Sequence, residues 1–147
     1  MQALRPEQYQ RLQEMAQAWE RRQTPGLEAS SRANPRLGVD ALCFQTHIPA
    51  EEPAGRALLV GALISPVSLS LVVLPAESGV PAPPAGERRA FALPSGRYPF
   101  IAEVLEPDLW LWRCELLDDL SDLATREEGS RLAQRLMDKV MTPVEAD

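Results

Sequence analysis

An α+β fold is the class this sequence predicts: a single domain, with a mainly antiparallel sheet flanked by an N-terminal and a C-terminal helix. Three observations predict it. Apolar residues recur at helical spacing near both ends of the chain, the segments between are short, apolar and rich in β-branched residues, and no strand–helix–strand alternation requires a parallel sheet. At 147 residues, 45% of them hydrophobic, the chain can bury one core and has no room for a second domain of ordinary size.

The elements follow in order. Pro6 suits the first turn of a helix. Tyr9, Leu12, Met15 or Ala16, and Trp19 then share a face, with Gln, Glu and Arg between them. A helix over residues 6–22 is expected, ending before Thr24-Pro25-Gly26. Residues 24–37 hold two prolines, a glycine and small polar side chains, and read as a loop. Residues 39–48 form the first strand, stopped by Pro49, and residues 49–55 a turn.

From residue 57 to residue 76 no side chain is charged. As a helix this run would rise about 30 Å, enough to cross a bilayer. Gly61 and Ser65-Pro66 interrupt it, Ser68-Leu69-Ser70-Leu71 alternates at strand period, and Val and Ile are frequent. It therefore reads as two buried strands, 57–64 and 67–74, around a turn at Ser65-Pro66, and no membrane span is expected.

Residues 75–89 carry four prolines and two glycines and read as a mobile surface loop. A short strand at 91–93 precedes the turn Pro94-Ser95-Gly96, and strands 98–105 and 109–117 flank Glu106-Pro107-Asp108 as a hairpin. Thr125 and Glu128 have capping-box spacing. Leu132, Ala133, Leu136, Met137, Val140 and Met141 then form an apolar stripe, so a helix over 126–141 is expected, ended by Pro143. Residues 1–5 and 142–147 read as frayed tails of the one domain, 1–147.

Charge excludes some functions. The net charge of −6 argues against binding to nucleic acid, whose phosphates demand a basic surface. Two distant cysteines, Cys43 and Cys114, with one histidine, His47, make neither a disulfide scaffold nor a histidine-rich metal site. The N-terminal residues lack the apolar stretch of a secretory signal, and a reducing, cytoplasmic setting is expected.

No catalytic constellation emerges, and no enzyme activity or cofactor is expected. Cys43 and His47 lie four apart on one strand, so they share a face but stand about 13 Å apart, too far for a hydrogen bond. Glu51-Glu52 and Asp118-Asp119 lack calcium-loop spacing. Charge is distributed unevenly, however. Residues 103–128 hold nine acids against Arg113 and Arg126, a local charge of −7 that exceeds the whole chain's −6. Beside this acidic stretch, one face of strand 109–117 carries Trp110, Trp112, Cys114 and Leu116. If both helices cover one sheet face, the other leaves an apolar patch rimmed by charge, suited to a polypeptide partner. The same tryptophans also fit a core role. Cys114 as a reactive thiol of a small enzyme or ligand-binding protein is the rival reading, and Cys43 with Cys114 transiently holding a metal is a third.

Asn34-Pro35-Arg36-Leu37, Gly61-Ala62-Leu63-Ile64-Ser65-Pro66, Ser68-Leu69-Ser70-Leu71-Val72-Val73-Leu74-Pro75, Leu93-Pro94-Ser95-Gly96-Arg97-Tyr98-Pro99-Phe100 and Trp112-Arg113-Cys114-Glu115-Leu116 follow one another along the chain. Together, in that order, they resemble the HybE/HupJ family of [NiFe]-hydrogenase assembly chaperones. Val67 stands where the family usually has an aromatic, and Glu115-Leu116-Leu117-Asp118 replaces its usual continuation after the cysteine. The resemblance implies a cytoplasmic, non-catalytic protein that binds the immature large or small hydrogenase subunit until metal centres are installed. Where the small subunit carries a twin-arginine signal, it implies delayed export. The residues expected to meet the partner are Pro66, Trp110, Trp112 and Cys114, with Asp118, Asp119 and Asp122 steering an arginine-bearing segment.

Overall fold

Two antiparallel three-stranded meanders, stitched together edge to edge, make one six-stranded sheet with a helix on each face. The computed structural model describes residues 4–29, 33–48, 56–77 and 79–143. The turn expected at 49–55, with Glu51-Glu52, lies outside the described residues. The elements are α1 (Pro6–Ala29), β1 (Asp40–His47), β2 (Leu58–Ile64), β3 (Leu69–Pro75), β4 (Arg88–Leu93), β5 (Gly96–Glu106), β6 (Leu109–Leu117) and α2 (Arg126–Val140). The sheet order is β1-β2-β3-β6-β5-β4, every pair antiparallel, which is the α+β single domain that the sequence predicts. No helix among the described residues is long and apolar enough to cross a membrane. The charge-free run forms β2 and β3, whose turn is held by the Ser65 hydroxyl accepting from the backbone N–H groups of Val67 and Ser68.

Strand alternation assigns the two faces. Leu59, Leu63, Val72, Leu74 and Leu111 pack with Leu12, Met15, Ala16 and Trp19 of α1. Val60, Ala62, Ile64, Leu71, Val73, Phe100, Trp112 and Cys114 pack on the other face with Ala133, Met137 and Val140 of α2. All seven residues of β2 are buried because both of its faces are covered. This corrects the possibility of an open aromatic face under helices sharing one side: the helices lie on opposite faces, so Trp112 and Cys114 belong to the core. The sheet curls around α2. The backbone N–H of Ser95, in the β4–β5 turn, donates to the Val140 carbonyl at the end of α2. The His47 imidazole of β1 engages the backbone of Ala92 in β4, so the two edge strands approach each other at one end.

Two boundaries differ by three residues or more from those expected, and one strand carries a bulge. Helix α1 continues to Ala29, through Thr24-Pro25-Gly26. The turn before this sequence is pinned to the sheet, Arg21 pairing with Glu106 and Arg22 donating to the Val104 carbonyl, and the helix is carried past its proline. Strand β4 starts at Arg88, three residues earlier than expected, because the backbone ladder to β5 extends under exposed side chains that carry no alternating pattern. In β1, Leu42 pairs with Ala62 and Gln45 with Val60, so one extra residue is inserted opposite Gly61. Cys43 absorbs it at φ +60°, a left-handed conformation that costs about 1–2 kcal/mol outside glycine. This bulge breaks the alternation expected to put Cys43 and His47 on one face, and it lays the Phe44 ring over Gly61.

Candidate functional site

The residues singled out from the sequence gather at two opposite ends of the sheet. At one end is the β2–β3 turn with Pro66. Its carbonyl accepts from the backbone N–H of Asn34 at 2.8 Å. The Asn34 side-chain amide, itself buried, donates to the carbonyls of Leu120 and Leu123 at 2.8 and 2.9 Å. Asn34 thus ties Pro66 to the loop between β6 and α2, on which Asp118, Asp119 and Asp122 stand exposed. Asp119 is held by accepting from the Ser121 backbone N–H. Sequence reasoning used Asn34 only as part of a resemblance. An Asn before Pro in a loop, able to satisfy backbone groups through its side chain, was the signal that could have singled it out.

Much of the remaining acidity is engaged internally. Glu103 and Glu115 both meet Arg113, at 2.8 and 3.5 Å, and Arg113 also donates to the buried Ser70 hydroxyl and lies over the Trp19 ring. Glu106 pairs with Arg21. Thr125 caps α2 by accepting from Glu128 N–H, and the Glu128 carboxylate reaches back to Ala124 N–H. The exposed steering charge therefore contracts from the whole 103–128 stretch toward the loop of Asp118, Asp119 and Asp122.

Trp110 stands at the other end of β6, about 25 Å from Asp118 at the strand rise. The indole is half-buried and its N–H donates to the Val80 carbonyl, which draws the proline-rich loop across the α2 face. Trp110, Trp112, Phe91, Pro81 and Pro83 line a groove of about 240 Å³, with Arg56, Glu87 and Arg89 at its margin. Phe91 contacts Trp112 and Phe100 edge-on, at 5.5 and 5.3 Å between centroids, which rigidifies the floor.

The two thiols do not meet. Cys114 is buried beneath this floor, and burial pushes its thiol above the ordinary value, with Arg113 offsetting only part. Cys43 is exposed at the β1 bulge, and its thiol is also pushed up, first by partial burial and then by Asp138. The upward direction at both disfavours the thiolate, the form a reactive cysteine uses. Among the described residues no three His, Cys, Asp or Glu side chains cluster in a way that could hold a metal ion.

Fold and site together define a small α+β domain whose distinctive surfaces are a turn-and-loop acidic end, an aromatic groove and two sheet edges. The chain belongs to the [NiFe]-hydrogenase assembly chaperone family HybE, whose family model matches residues 10–147. In fold it is similar to the solution structure of HybE from Escherichia coli, with a TM-score of 0.54 and 24% identity. That match covers 70% of this chain and 59% of the other, so the chain spans less than two thirds of that relative's length. Comparison with curated proteins finds no match.

Proposed function

We propose that this protein is a cytoplasmic, non-catalytic chaperone that holds an immature [NiFe]-hydrogenase subunit, large or small, until its metal centres are installed. Where the subunit carries a twin-arginine signal, holding it delays export. The observation that carries this reading is the family match over nearly the whole chain. The geometry supports it in two ways. The half-buried Trp110 in its proline-walled groove offers an aromatic anchor for an apolar segment. Asp118, Asp119 and Asp122, exposed beside Pro66, supply the charge that attracts an arginine-bearing one. Trp112 and Cys114 belong to the core cluster against which Trp110 packs.

Pull-down of precursor subunits over a salt series tests the proposal. Changing Asp118, Asp119 and Asp122 to Asn is expected to weaken association at low salt and leave it nearly unchanged at high salt. Trp110→Ala is expected to weaken it at every salt concentration. Association of the Asn variant that matches the parent throughout removes the electrostatic component, and no association of the parent protein removes the proposal.

A further inference from the structure

Among the described residues no strand pairs with the outer side of β4, which lies beside an open groove on the α1 face. Ala102 N–H donates to the Glu87 carbonyl, so Glu87 turns its backbone groups toward β5. Alternation along an antiparallel ladder then turns those of Arg89 and Phe91 inward and those of Arg88, Ala90 and Ala92 outward. At Ala92 the outer edge is met by His47. Arg88 and Ala90, both exposed, leave two N–H and two C=O groups directed away from the sheet.

Side chains on the α1 face continue this edge as a surface. On this face the Trp19 ring of α1 meets Arg113, which pairs with Glu103. Beyond it, Arg88, Ala90, Pro99 and Ile101 line a shallow groove of about 490 Å³, closed on one side by Arg113 and Glu115. Ile101 is 44% exposed, high for a residue in the body of a sheet. Charge identifies what fits. Residues 88–102 contain three arginines (Arg88, Arg89 and Arg97) and no acid, in a chain whose net charge is −6. Two copies of β4 brought edge to edge would set like charges against each other, the device by which edge strands avoid self-association.

We propose that the β4 edge captures an extended, acidic segment of the client by strand addition, with its main chain pairing Arg88 and Ala90. Its apolar side chains enter the Pro99–Ile101 groove and its carboxylates meet Arg88. This inference rests on the client-holding function proposed above and adds a second contact of opposite sign to the Asp118–Asp122 loop. The protein would then grip a client at two places, one selecting basic and the other acidic sequence.

The test uses two short fluorescein-labelled peptides, one repeating Glu-Ser-Val-Ser, which sets Glu and Val on the same face of an extended strand, and one with Lys in place of Glu. Fluorescence anisotropy gives affinity, and NMR amide exchange reports on Arg88 and Ala90. The acidic peptide is expected to bind about tenfold or more tightly than the basic one and to slow exchange at both amides. Arg88→Glu is expected to weaken it by about tenfold with the fold intact by circular dichroism. Ala90→Pro, which removes an outward donor and leaves the β5 ladder alone, is expected to abolish binding. Equal binding of the two peptides, no binding, or binding without protection at Arg88 and Ala90 overturns the inference. So does protection that rises with protein concentration alone, which would make a second copy the occupant. Precursor association unaffected by either variant overturns the β4 contact and leaves the chaperone reading standing, whereas no precursor association with the parent protein overturns that reading itself.

Discussion

The Asn34 side chain donates to the carbonyls of Leu120 and Leu123 while its backbone N–H donates to Pro66, so three segments distant in sequence meet at one buried amide. Asn34→Ala leaves both carbonyls without that donor and is expected to cost about 2 kcal/mol, read as a lowered urea midpoint at unchanged slope. It should also loosen the loop bearing Asp118, Asp119 and Asp122, visible as faster amide exchange there. Residue types made the acidic loop legible as a candidate, and Pro66 entered through the family resemblance. What brings them together was not legible, because a side-chain bond spanning 86 residues leaves no local pattern. Trp110 was separable from Trp112 and Cys114 only by how far the proline-rich loop and curled sheet cover each, which alternation along β6 does not encode.

At the scale of elements, apolar period and turn residues located all six strands and both helices, and β6 over its full length. The misjudged boundaries share one cause: tertiary contacts override local signals. Arg21 and Arg22 on β5 carry α1 past Pro25, and pairing with β5 extends β4 beneath Arg88 and Arg89. The β1 bulge was likewise hidden, since it depends on the partner strand offering Gly61. An ideal Cβ at position 61 would stand 2.3 Å from the Phe44 ring, closer than side chains tolerate. Gly61→Ala is therefore expected to destabilise by about 1–3 kcal/mol, measured by denaturant titration, and Phe44→Leu in the same chain to recover part of the loss.

For the whole molecule, the side on which each helix packs was the unreadable part, since an amphipathic stripe says only that a helix covers something apolar. The curl that brings β1 to β4 carries a pH signature, since His47 is the chain's one histidine. Burial holds its imidazole below the ordinary value of 6.5, and contact with the Ala92 backbone offsets part of that effect. In the window between the folded and unfolded values the unfolded chain binds more protons, so the stability contribution is full above about 6.5 and is lost as pH falls through the folded value. Thermal unfolding is expected to show a smaller drop on acidification through this window for His47→Gln than for the parent, and an NMR titration should find the imidazole titrating below 6.5.

The crosswise arrangement of the helices has a consequence for how the chain is born. Helix α1, made first, lies partly on Leu111 of β6 and is tied to the far end of β5, strands that leave the ribosome much later. Helix α2, made last, covers Val60, Ala62 and Ile64 of the first meander. Each half of the polypeptide thus waits for the other to hide its apolar surface, and the ladder between β3 and β6 closes only when both are present. Closure of this core therefore waits until α2, the last of these elements, has left the ribosome, and until then the apolar faces of the earlier strands stand uncovered.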